Sequence, residues 1–126
     1  MIEAIKAEGT NNPDFTQIGK PSGQIRCVDG FRMSVQAGIG MYCTPRPDGF
    51  NKGGPGRDYQ GPYTAAEVGF PSERPEPWSA GFWLWKRTGW REFAENSGAP
   101  TDTVYGHVPF ALIEALIELH GGEVTS

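Results

Sequence analysis

Apolar and polar residues alternate most regularly between Phe31 and Ala37, where Phe31, Met33, Val35 and Ala37 interleave with Arg32, Ser34 and Gln36. A period of two places the two sets on opposite faces of a β-strand. Arg26-Cys27-Val28 precedes this strand, and the Asp29-Gly30 dipeptide between them readily takes the positive φ angles of a tight hairpin turn. Gly38 and Gly40 turn the chain again into Met41-Tyr42-Cys43-Thr44. A third short antiparallel strand is predicted there, ended by Pro45 and Pro47 because proline cannot donate to a ladder. Thr64–Phe70 repeats the alternation with Ala66, Val68 and Phe70 on one face and Glu67 on the other, and its natural partner is the Phe31–Ala37 strand. Thr103–Val108 is a further strand candidate.

The period then lengthens. Pro109 suits a first helical position, and Leu112, Ile113, Leu116, Ile117 and Leu119 follow at helical spacing with Glu114 and Glu118 outward. His120-Gly121-Gly122 is a stop signal, so a helix is predicted from Pro109 to His120, packed on the apolar face of the sheet. The fold class that follows is α+β, a small antiparallel sheet covered by a C-terminal amphipathic helix. Met1–Glu8 has enough periodicity for one or two helical turns but is too short to be stable alone, and Gly9–Gly23 reads as loop. Residues 1–24 are therefore expected to be a flexible or peripheral extension, and residues 25–126 a single domain.

Two long breaks separate the strands. Pro45–Tyr63 is too rich in glycine and proline for a regular element, and it carries Arg46, Lys52 and Arg57 beside Phe50, Tyr59 and Tyr63, the composition of a ligand loop or of a plain surface insertion. After Pro71–Pro77, the stretch Trp78–Trp90 is the most aromatic of the chain. As a strand it sets Trp83, Trp85 and Arg87 on one face; as a helix it groups Trp83, Lys86, Arg87 and Trp90. Its aromatics either fill the core or make a platform on which planar bases stack beside cations.

Composition narrows the function classes. With 18 glycines and 11 prolines in 126 residues, the elements should be short and the core small, a deficit often made up by homo-oligomerisation. The net charge is −4 with scattered acids, which argues against duplex nucleic acid but leaves a small anionic ligand open. No apolar run approaches the roughly 18 residues of a membrane span, and the first residues lack the blocks of a signal peptide, so a cytoplasmic protein is expected. Cys27 and Cys43, without a CxxC partner, read as buried thiols rather than a disulfide or a zinc site.

Signatures of chemistry are scarce. GxSxG, HExxH and GxxxxGK[ST] are all absent, and GGPG at 53–56 resembles a phosphate loop only in its glycines. His107 and His120 occupy strand and helix-end positions where imidazoles are usually structural, and a proline break separates Glu67 from Glu73. No cofactor or metal is expected. A nucleotide-like anion needs a π-face and at least two cations, and strand ends with their flanking loops converge most readily, which selects Tyr42, Arg46, Arg57 and Trp83, with Arg32 in support.

The blocks CVDGFRMSVQAG, MYCTPR, GPYTAAEVGFPSERPEPW and PTDTVYGHVPFALIEALIELHGG, within residues 25–122, resemble a family of small phage and prophage proteins with the same order of motifs. The chain departs from that family's pattern at the N-terminus, at 50–57 and at 78–91, and it also resembles the anti-Thoeris sponge proteins. That resemblance implies a non-enzymatic, oligomeric anti-defence protein in the cytoplasm of an infected bacterium, one that sequesters a cyclic ADP-ribose isomer intact. It carries no ligand residue over. Two other classes stay open: an inhibitor that blocks a host defence protein by direct contact, and a small enzyme acting through Glu67 or His107.

Overall fold

The longest clean two-residue alternation, Phe31 to Ala37, contains a strand, Arg32–Gln36. In the computed structural model, which describes residues 1–10, 23–38, 40–47, 55–56, 59, 61–79, 89–96 and 98–124, the elements are α1 (Ile2–Glu8), β1 (Gln24–Arg26), β2 (Arg32–Gln36), β3 (Ala65–Gly69), a 3-10 turn (Trp90–Phe93), β4 (Val104–Pro109) and α2 (Phe110–Leu119). The strands make one antiparallel sheet in the order β1-β2-β3-β4. With α2 at its C-terminal side, this is the expected α+β arrangement of a sheet and a C-terminal helix. Among the described residues no helix is long and apolar enough to cross a membrane.

The inner face of the sheet carries Ile25, Met33, Val35, Ala66, Val68 and Val108, each at most 2% exposed. Phe110, Ile113, Leu116 and Ile117 of α2 join the same buried cluster. The helix stripe is one residue narrower than its sequence pattern: Leu119, expected to be inward, is 62% exposed, because it lies to the side of the face formed by Ile113, Leu116, Ile117 and His120. α2 starts at Phe110 because Pro109 is still the end of β4 and pairs with Ala65. Cys27 and Cys43 are both buried and free, and burial raises both thiols above their ordinary pKa.

Three further details depart from the pattern. Met41–Thr44 is not a third strand beside β2; only Thr44 pairs, and it does so as an isolated bridge to Ala65 in β3. The Cys43 Sγ accepts the Gly38 N–H at 3.3 Å, so the segment folds back on its own glycine turn instead of forming a ladder. Phe70, expected on the apolar face, is 59% exposed, because β3 ends at Gly69 and the chain turns there with Phe70 at φ 47°. The first hairpin loop has three residues, Val28-Asp29-Gly30, since Arg26 pairs with Arg32 and the Cys27 N–H donates to the Phe31 carbonyl at 2.8 Å. Only Gly30 of the three sits at positive φ, 98°, as a three-residue hairpin loop requires.

The ends of the described chain are tied to this frame. Within the 1–24 segment, α1 buries Ile5 completely, and Thr10 both donates to Ala37 and accepts from it through backbone and hydroxyl; residues 11–22 lie outside the described residues. The Met1 ammonium pairs with Glu123 at 3.0 Å and Lys6 with Glu114 at 3.2 Å. At the other end, His120 stacks on Phe31 with ring centroids 4.0 Å apart and bonds the Asp29 carboxylate at 2.7 Å. The backbone N–H of Phe31 and the His120 side chain together hold the Asp29 carboxyl below its ordinary pKa.

Candidate functional site

The outer face of the sheet carries the chain's polar alternation: Arg26 and Gln24 on β1, Arg32, Ser34 and Gln36 on β2, Glu67 and Gly69 on β3. Its two ends differ in construction. At the hairpin end lies an open groove of about 440 Å³, lined by Gln24, Arg32, Ser34, Gly69, Phe70 and Ser72 among others. Gly69 forms part of its floor; a Cβ there would meet only the Cβ of Ser34, at 3.9 Å, so the missing side chain leaves room rather than relieving a clash.

Two residues of the groove are fixed from the backbone outward. The Arg32 N–H donates to Ser72 Oγ at 2.9 Å and the Ser72 N–H donates to the Arg32 carbonyl at 2.8 Å, so the loop after β3 is clamped to β2 while the guanidinium stays exposed. Phe70 lies between Gly69 of the sheet and the clamped Ser72, and its N–H donates to the Thr103 carbonyl at 3.1 Å. Those constraints hold a bulky residue at positive φ, a conformation costing about 1–2 kcal/mol for an L-residue, and present its ring to solvent. The alternation hides this residue; the Pro71 that follows it, which cannot donate to a ladder, is a sequence signal that the strand is ending.

The other end is built around a bulge. Ala66 pairs with Val108 and Val68 with Tyr105, so Gly106 and His107 together stand opposite Glu67, with His107 at φ 52°. The His107 N–H donates to the Tyr42 carbonyl at 2.8 Å, and its Nδ1 lies 3.1 Å from Thr44 Oγ1. The Tyr42 N–H donates to Glu67 Oε1 at 3.2 Å, and the Arg46 guanidinium lies over the Tyr42 ring, 5.2 Å from its centroid. The Glu95 carboxylate closes over Gly106, where a Cβ would come within 2.6 Å of Oε2.

Of the five residues selected from the sequence, Tyr42 and Arg46 are brought together and Arg32 is not with them. Gln36, the β2 partner of Glu67, is four residues from Arg32, roughly 13 Å along the strand. Arg57 and Trp83 lie outside the described residues, as do Lys86, Arg87 and the rest of 80–88. The described ends of that aromatic stretch behave as core and rim: Trp90 is fully buried, edge-on to Tyr105 at 5.5 Å, and Trp78 is half-buried under the Arg74 guanidinium at 5.9 Å. Tyr105 donates its hydroxyl to the Pro100 carbonyl at 2.6 Å, and burial pushes its pKa up to about 12, as it does for Tyr63. Among the described residues no group of three His, Cys, Asp or Glu side chains is placed to hold a metal ion.

The groove thus combines an exposed guanidinium, an exposed phenyl face, two serine hydroxyls and a glycine floor, and its described lining contains no carboxylate. That set is chemically suited to a ligand with a planar apolar part and an anionic part. Comparison with known proteins returns no matching family model, no similar curated protein and no similar solved structure.

Proposed function

We propose that this protein binds and sequesters a small nucleotide-derived signal, a cyclic ADP-ribose isomer, without cleaving it, as a phage-encoded anti-defence protein. The observation that carries the reading is the groove of about 440 Å³ on the outer face, with Phe70 held exposed against backbone strain beside the Arg32 guanidinium. Its size is in the range of small-molecule sites, about 300–1,000 Å³. In this reading the base stacks on Phe70, a phosphate meets Arg32, and Ser34 and Ser72 take ribose or phosphate oxygens. The anti-defence role and the identity of the signal come from the motif resemblance; the polarity of the groove is independent of it. Self-association into a homo-oligomer belongs to the same proposal, and light scattering above the monomer mass at micromolar concentration is the expected result.

The test is to express the protein with the signalling enzyme, denature it by heat and identify the released nucleotide by mass spectrometry. Recovery of the intact cyclic species supports sequestration. A converted product makes the protein an enzyme, and no nucleotide favours an inhibitor acting by protein contact. Gly69→Val ties the result to the groove: the β-branched side chain suits a strand and fills the floor, so the variant should fold and release no nucleotide.

A further inference from the structure

Arg26 and Arg32 are direct cross-strand partners on the outer face of the first hairpin. Their backbone groups point away from each other: Arg32 exchanges both its bonds with Ser72, and the Arg26 carbonyl accepts the Val124 N–H at 2.8 Å. They therefore form the non-hydrogen-bonded type of antiparallel pair, in which Cα atoms stand about 4.5 Å apart and side chains are at their closest. Like charges at that position repel and destabilise the hairpin. Neither guanidinium has an ion-pair partner among the described residues.

Both arginines line a second hollow of about 360 Å³, with Cys27, Val28, Gly30 and Val124, and Arg32 lines the groove with Phe70 as well. The two carboxylates next in sequence to this hollow are engaged elsewhere. Asp29 bonds His120 and accepts the Phe31 N–H at 3.0 Å, and Glu123 accepts from the Met1 ammonium and the Ile2 N–H. In a chain with 15 acidic residues and a net charge of −4, none of the described carboxylates pairs with either of these two adjacent arginines.

We infer that Arg26 and Arg32 form a two-guanidinium site for a diphosphate group, which supplies the missing negative charge between them. Two planar forks side by side offer paired N–H donors to the oxygens of adjacent phosphates, a match that one arginine, or a lysine, does not provide. The diphosphate is either free pyrophosphate or the diphosphate of a nucleotide whose base lies in the neighbouring groove. The inference stands on the hairpin alone and survives if the groove takes no cyclic nucleotide.

Titration calorimetry at low ionic strength with inorganic pyrophosphate, ADP and adenosine tests it on the full chain and on Arg26→Ala, Arg32→Ala and Arg46→Ala. Pyrophosphate binding that weakens at least tenfold in each of the first two variants and is unchanged in Arg46→Ala supports a site for the free anion. ADP binding with the same dependence, where pyrophosphate and adenosine alone are weak, supports the site with the nucleotide as its source. Absence of binding by both anions, or affinity retained in Arg26→Ala, overturns it. The free protein supplies a second readout: removing one of two repelling charges should leave the melting temperature of Arg26→Ala unchanged or higher at low salt, and a lowered one would show that the pair is structural and overturn the inference.

Discussion

The two faces of the sheet come from the same short strands and follow opposite rules. On the inner face Met33, Val35, Ala66 and Val68 are at most 2% exposed and belong to one apolar cluster, so each position is set by volume. On the outer face Arg26, Arg32 and Phe70 stand exposed in arrangements that cost stability, a like-charge pair and a positive φ angle. Truncation should therefore be harmful inside and neutral or helpful outside. The difference separates what keeps the chain folded from what the fold is available to do.

The strongest way to break this contrast is inside. Leu116→Asp puts an unpaired carboxylate into a fully buried site and should abolish folding, since total stabilities are only about 5–15 kcal/mol; Leu116→Ala should cost about 2–5 kcal/mol in denaturant melts. A cooperatively folding Leu116→Asp protein would contradict the buried helix face. Alkali attacks the same interior. Tyr63 and Tyr105 have pKa values raised to about 12 in the fold, whereas in the unfolded chain they ionise near 10. Their contribution is complete below pH 10 and is lost as pH rises through about 12, because the unfolded state releases protons first. A phenolate absorbance titration should show two tyrosines ionising late and together with unfolding.

On the outer face the largest expected effect is on affinity. Arg32→Ala should weaken a nucleotide ligand by about 1.5–3 kcal/mol while moving stability by less than about 0.5 kcal/mol. The matching Arg46→Ala change, at the bulge end, should leave that affinity intact; the reverse ranking in calorimetry would shift the site to Tyr42 and Arg46. Smallest is Phe70→Gly. Glycine accepts the positive φ without strain, so the free protein should gain up to about 1 kcal/mol in urea melts while losing its ligand. A destabilised Phe70→Gly would mean that the ring packs on the protein rather than on a ligand.

What could be read from the chain follows the reach of local patterns. The strands around Met33, Val68 and Tyr105 and the helix around Leu116 were legible because each buries one face against the same core, and period records that directly. Met41–Thr44 misled because an apolar triplet between glycine and proline has the look of a strand, while its actual partners, Ala65 and His107, are tens of residues away. Phe70 was misplaced by carrying the alternation one residue past the end of β3. Arg26 gave no signal by itself; its importance depends on a hairpin register that a three-residue loop shifts by one from the two-residue turn suggested by Asp29-Gly30. Among the selected residues, Arg32 and the Tyr42–Arg46 pair proved to be at opposite ends of one face, a separation that the register of β2 on β3 reveals.

The lengths of the connections between strands also predict an order of events in folding. Only β1 and β2 are joined by a short turn; the connections from Gln36 to Ala65 and from Gly69 to Val104 are long, and closing them costs chain entropy before any contact rewards it. A hairpin of this kind closes in about 1–10 μs, well ahead of pairings between distant segments. Arg26 and Arg32 should thus meet in the nascent chain before Phe70 and Ser72 arrive to complete the groove. Pulse-labelled hydrogen exchange during refolding should protect the Cys27 amide, bonded to Phe31 across the hairpin, earlier than the Phe70 amide, bonded to Thr103. The anion-attracting half of the surface would then exist before there is a core behind it, and a phosphate-rich refolding medium would act on the hairpin first.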